Sequence, residues 1–189
     1  MLVLVRHGQT AANARGLLLG RADPPLTELG RRQADALATA FPSAVRVISS
    51  PLTRARTTAQ AFGRPVEIDE RWIELDYGAL DGQPVDSVPE ELWRRWRADP
   101  TYVPAGGESI AAVGARVREA CADLAETARH DDVLVVSHVS PIKAAIAWTL
   151  GAGDVVAWRM FVRDAAVARI EIGANGPVLM SFNEVCPPR

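Results

Sequence analysis

Two uninterrupted apolar runs, Leu2-Val3-Leu4-Val5 and Val133-Leu134-Val135-Val136, dominate the hydropathy pattern of the chain. Each is long enough for one strand buried on both faces, where inward and outward positions need not alternate in polarity. Between them the pattern changes period. Leu29, Ala34, Leu37 and Phe41 fall on one helical face, and Thr27 can cap a helix running to about residue 40. Short strands are predicted over 45–49 and 65–68, with a helix opened by Ser49-Ser50-Pro51 and running to about residue 62 between them. Residues 75–89 lack periodicity, and 90–98 read as a short helix rich in tryptophan and arginine. Ser109 caps a long helix to about residue 128, and a further helix over 141–150 is ended by Gly151-Ala152-Gly153. Apolar segments 167–172 and 178–182, separated by Gly173-Ala174-Asn175-Gly176-Pro177, predict a closing antiparallel hairpin. Strand and helix thus alternate, which predicts an α/β fold of three αβα layers in a single domain over 1–189. The sheet should be mostly parallel, with helices on both faces.

Both apolar runs end in residues that can carry chemistry. The first leads into Arg6-His7-Gly8 and the second into Ser137-His138, and the chain has only 3 histidines. In open α/β sheets ligands bind at the carboxyl ends of strands. If the two strands are parallel neighbours, His7 and His138 emerge at one edge, with Arg6 beside them. Arg6 can fork onto phosphate oxygens, and Gly8 permits a tight turn. Ser50-Pro51-Leu52-Thr53-Arg54-Ala55-Arg56 places two arginines near a helix start, itself an anion site. Two positions apart, they cannot share one helix face, and Arg54 is expected to face the site while Arg56 is solvated. Glu74 is the carboxyl that could serve as an acid for a departing alkoxide.

Composition narrows the alternatives. A net charge of −2 gives no general electrostatic reason to bind nucleic acid or membrane, and no apolar stretch reaches transmembrane length. Met1 leads directly into the first strand with no signal peptide, so a cytoplasmic location is expected. Cys121 is expected to pack as a small apolar residue and Cys186 to lie in a fraying tail; neither has a catalytic pattern around it. There is no HxH or HxxEH spacing to suggest a metal site.

Taken in order, Val5-Arg6-His7-Gly8-Gln9-Thr10 with Asn13, Gly20-Arg21-Ala22-Asp23-Pro24-Pro25-Leu26-Thr27, Ser50-Pro51-Leu52-Thr53-Arg54-Ala55, Glu74-Leu75-Asp76-Tyr77-Gly78-Ala79-Leu80-Asp81-Gly82, Gly106-Gly107-Glu108-Ser109 and Ser137-His138 resemble the motifs of the histidine phosphatase superfamily, the phosphoglycerate mutase-like fold. The resemblance spans nearly the whole chain. It implies that His7 is the nucleophile, phosphorylated on a ring nitrogen. Arg6, Arg54 and His138 would hold the phosphoryl oxygens, with contacts from Asn13, Arg21 and the Val139 amide. Glu74 would protonate the leaving group and then activate water. No metal or other cofactor is implied, and the partner is a small phosphomonoester. The chain departs from the family at Gln9, where many members carry Glu, and at His138-Val139-Ser140-Pro141-Ile142-Lys143, where glycines and then an arginine are usual.

These features favour a phosphomonoester phosphatase. The alternative is a phosphoglycerate mutase, whose longer chains carry insertions that cover the site; here only 83–107 separates the Glu74 loop from the long helix. In that segment, Trp93 and Trp96 can pack on the core with Arg94, Arg95 and Arg97 in water, or one of these arginines can meet an acidic group of the substrate. The optimum is expected on the acid side of neutral. The 167–182 hairpin could pair with another copy, leaving a homodimer open.

Overall fold

The computed structural model describes residues 1–42 and 46–187. Six strands, β1 (Leu2–Arg6), β2 (Arg46–Ser49), β3 (Val66–Ile68), β4 (Val133–Ser137), β5 (Ala166–Gly173) and β6 (Gly176–Val185), form one sheet in the order β3-β2-β4-β1-β5-β6. The first four in that order run parallel, and β5 and β6 are antiparallel. Six helices accompany them: α1 (Ala11–Ala14), α2 (Glu28–Ala40), α3 (Thr53–Gln60), α4 (Glu90–Ala98), α5 (Ile110–His130) and α6 (Val139–Thr149).

The two unbroken apolar runs sit side by side at the centre as β1 and β4, with every residue buried. Their pleat sends alternate residues to opposite faces. Leu2, Leu4, Val133 and Val135 pack with Val117 and Leu124 of α5 and Ile142 and Ile146 of α6. Val3, Val5, Leu134 and Val136 pack with Leu37 of α2 and Ala55 and Ala59 of α3. Both faces therefore need apolar side chains, and each contributes roughly 2 kcal/mol through burial. This is the expected three-layer arrangement.

Local chemistry sets the helix ends. The Thr27 hydroxyl accepts from the Gly30 N–H at 3.0 Å, and Ser109 accepts from Ala112 at 3.1 Å. Among the boundaries that differ from expectation, the last strand runs on to Val185, past 182, and three others have a local cause. The third helix begins at Thr53, whose N–H is taken by Asp23 Oδ2 at 3.0 Å, after Pro51 and Leu52 have passed. The sixth begins at Val139, because His138 is the extended cap residue and Pro141 fits the first turn without a lost bond. The hairpin turn shrinks to Ala174-Asn175, since Gly173 pairs with Gly176 at φ +108°. Val45, expected in the second strand, lies outside the described residues, as does Pro188 of the tail.

The segment before the long helix adopts the packed arrangement. Trp96 is fully buried, stacked on Trp93 and edge-on to Trp158 and Tyr77. Arg94 and Arg97 pair with Glu91 and Glu90 on the exposed face of α4, and Arg95 lies over the Tyr102 ring. Both cysteines are free, Cys121 inside the core.

Candidate active site

Parallel pairing of β1 with β4 sets Arg6 opposite Ser137, so the next residue of each strand is a histidine. The His7 and His138 rings lie 5.0 Å apart. His7 is clamped on both sides. Its N–H donates to Ser137 O at 3.0 Å, and its carbonyl accepts from Ala165 N at 3.1 Å. The ring Nδ1 donates to Gly8 O at 2.7 Å, which leaves Nε2 with the lone pair. Gly8 is required here: a Cβ would lie 2.3 Å from the Gly30 carbonyl oxygen.

Two buried guanidiniums flank this imidazole. Arg6 donates to Val162 O at 2.8 Å and pairs with Asp164 at 2.9 Å. Arg54 is wholly buried and donates to Gly20 O at 2.8 Å and Ala22 O at 2.7 Å. Nε of each arginine is buried without a partner among the described residues. Unpaired buried donors of this kind call for an explanation, and here they belong to two cations beside one histidine. Arg56, as expected, is exposed.

His138 Nε2 contacts the Ser50 hydroxyl at 2.7 Å, and its Nδ1 is buried without a partner among the described residues. When Nε2 accepts the Ser50 proton, Nδ1 carries its own hydrogen as an unused donor. Burial, then the positive Arg54, pushes both histidines well below the ordinary 6.5; Arg6 adds to this at each. Both rings are therefore held in the neutral form. Burial likewise lowers Arg6 and Arg54 from the usual arginine range.

Glu74 is buried against the start of α6. Its carboxyl accepts from the Leu75 N–H at 2.7 Å, Val139 at 3.0 Å and Ser140 at 3.1 Å. The Val139 amide, expected to face phosphate, is thus engaged by Glu74. Burial, and then Glu74, holds the Tyr77 phenol above its ordinary range while it bonds Ser140. Arg6, His7, Asn13, Glu74, Tyr77 and Val139 line a cavity of about 160 Å³, together with Leu17, Leu18 and Leu19. Asn13 turns its carbonyl oxygen to the Thr10 N–H at 2.9 Å, which leaves its amide to donate. Arg54 and His138 stand behind this lining, fully buried, and Arg21 is bound instead to Glu108 at 3.3 Å and does not line the cavity.

Sequence reasoning missed three supporting groups. Ser50 and Tyr77 stood inside quoted motifs with no role of their own. Asp164 had no local signal; only the antiparallel pairing of β5 with β1 brings it to Arg6.

Residues 2–185 match the model of the histidine phosphatase superfamily, branch 1. The chain belongs to the histidine phosphatase superfamily. It is 37% identical over 185 residues to a bifunctional protein of Mycobacterium tuberculosis, covering 93% of this chain but 51% of that one. The chain thus spans about half the length of these mycobacterial relatives. A probable phosphoglycerate mutase of Salmonella paratyphi C is 35% identical over 179 residues, covering 89% of this chain and 83% of the other. The solved structure of a phosphoserine phosphatase mutant from Entamoeba histolytica, in complex with phosphoserine, superposes with a TM-score of 0.89. That match is at 26% identity and covers 97% of this chain and 96% of that one. Histidine phosphatase membership accounts for the order of the motifs.

Proposed function

We infer that this chain is a phosphomonoester phosphatase working through phosphohistidine. The observation that carries the reading is the neutral His7 with Nε2 unbonded, set beside two buried arginines whose Nε donors have no partner among the described residues. Family membership and the likeness to a phosphoserine phosphatase support it. The reading takes residues 1–189 as one domain, acting in the cytoplasm on a small phosphorylated metabolite without a resident cofactor.

In the first step His7 Nε2 attacks phosphorus, the P–O ester bond breaks, and Glu74 passes a proton to the departing alkoxide. Arg6 and Arg54 meet the charge that builds on the phosphoryl oxygens, together with His138 Nδ1–H and the Asn13 amide. The phosphoryl group and the Glu74 carboxyl compete for the Val139 amide, so binding frees Glu74 to reach the ester oxygen. In the second step the Glu74 carboxylate takes a proton from water, which attacks phosphorus and releases His7 and inorganic phosphate. Splitting the transfer in two makes each step easier. Arg21 would act only after leaving Glu108.

The short covering segment favours water over a second sugar acid as the acceptor. Phosphate release from a panel of esters in EDTA should survive, and should vanish in His7→Ala with the fold retained by circular dichroism. Exchange of 3- and 2-phosphoglycerate, dependent on bisphosphoglycerate and without phosphate release, would make it a mutase instead.

A further inference from the structure

The cavity around His7, at about 160 Å³, is smaller than the roughly 300–1,000 Å³ typical of small-molecule sites. It holds a phosphoryl group and little else, so the alcohol half of the substrate must lie outside it. An open groove of about 550 Å³ continues from it, and Arg6, Asn13 and Leu17 line both.

One wall of that groove is the stretch from Phe161 to Asp164. It is held along its length: Val162 O accepts from Arg6, Arg163 N–H donates to Asn183 Oδ1 at 2.8 Å, and Asp164 pairs with Arg6. Val162 is buried, while Phe161 and Arg163 are exposed and line the groove. Phe161 is 72% exposed, the most exposed large apolar side chain among the described residues. Arg163 has no carboxylate partner among the described residues, unlike Arg6 beside it. Leu17 and Val85 supply further apolar lining. An aromatic face anchored at the mouth of a phosphoryl site, next to an uncommitted cation, suits a planar ring with hydrogen-bond acceptors.

We propose that the Phe161–Arg163 groove is the leaving-group subsite, and that it takes phosphomonoesters whose alcohol half carries a flat ring stacked on Phe161. The proposal rests on the phosphatase reading above and names the substrate class for it. Continuity with the catalytic cavity favours a substrate over a second protein copy as the occupant.

The test compares adenosine 5′-monophosphate with ribose 5-phosphate, which presents the same ester without the flat base. The wild-type chain should turn over the nucleotide with kcat/KM about tenfold higher, the size expected of one stacked base. Phe161→Ala should erase that advantage while leaving ribose 5-phosphate unchanged, Phe161→Trp should restore it, and Arg163→Ala should lose part of it. Equal use of both esters by the wild type would overturn the ring subsite and leave the phosphatase reading standing. Equal losses on both esters in Phe161→Ala, with a shift to a smaller species in sedimentation, would make Phe161 a contact between copies and overturn it too. No release from either ester or from p-nitrophenyl phosphate would remove the phosphatase reading, and the inference with it.

Discussion

In the proposed mechanism Glu74 has to give up a bond before it can act as the acid. Its carboxyl receives three backbone N–H groups, two of them from the first turn of α6. A proton can pass to an ester oxygen only after the carboxyl turns from one of these donors, and an arriving phosphoryl group is the anion that can replace it there. Glu74→Gln should therefore reduce kcat on alkyl phosphates by about 10²–10⁴-fold, the usual range for a general acid. The loss should be much smaller on p-nitrophenyl phosphate, whose leaving group needs little protonation. Equal losses on both would remove Glu74 from the acid role. That Glu74, His7, His138, Arg6 and Arg54 come together was legible because each sits in a short motif at the end of a strand or in the loop beyond it. Asp164 was not, because the Arg6 it orients lies 156 positions from the neighbouring Val162 contact and no local spacing records such a pairing. Asp164→Asn should cost on the order of 2 kcal/mol, since Arg6 would keep its burial and lose its counter-charge. Urea unfolding would measure it.

The loop after β1 and the start of α2 meet backbone to backbone, and this contact holds His7 in place. A Cβ on Gly30 would lie 2.1 Å from the Gln9 carbonyl oxygen, an atom that cannot rotate away. Gly30→Ala should force α2 outward, lower the melting temperature by about 5 °C and reduce kcat together, because His7 is one residue from the displaced Gly8. Unchanged melting would show that the loop yields without cost. Thr27 was legible as the cap of this helix, but Gly30 was not legible as the contact. Periodicity pointed to Leu29, which is only half-buried, whereas close packing needs a residue with no side chain. The start of α6 was misplaced for a related reason. Pro141 reads as a helix opening, yet His138 provides the extended cap and moves the opening two residues earlier.

The whole molecule buries two neutral imidazoles at its centre, and that couples its stability to pH. The alternation of strand and helix was enough to read the layers, and two apolar runs were enough to read the centre of the sheet. The consequence of burying both histidines there becomes visible only when β1 and β4 pair. Burial and the nearby arginines depress His7 and His138 well below 6.5 in the folded chain. The unfolded chain binds those two protons as pH drops below 6.5, and the folded chain does not. Stability is then fully present above the unfolded value and is lost as pH falls toward the folded values, with a slope approaching about 2.7 kcal/mol per pH unit for two groups. In the proposed mechanism the same depression keeps His7 neutral on the acid side, so the fall in activity there should track unfolding and not protonation of His7 in the folded chain. Unfolding free energies from denaturant titrations at pH 7.5, 6.5 and 5.5 should decline across the last interval, and His7→Asn should about halve the slope by removing one of the two groups. A flat profile would mean that the two imidazoles keep their ordinary affinity for protons inside the fold.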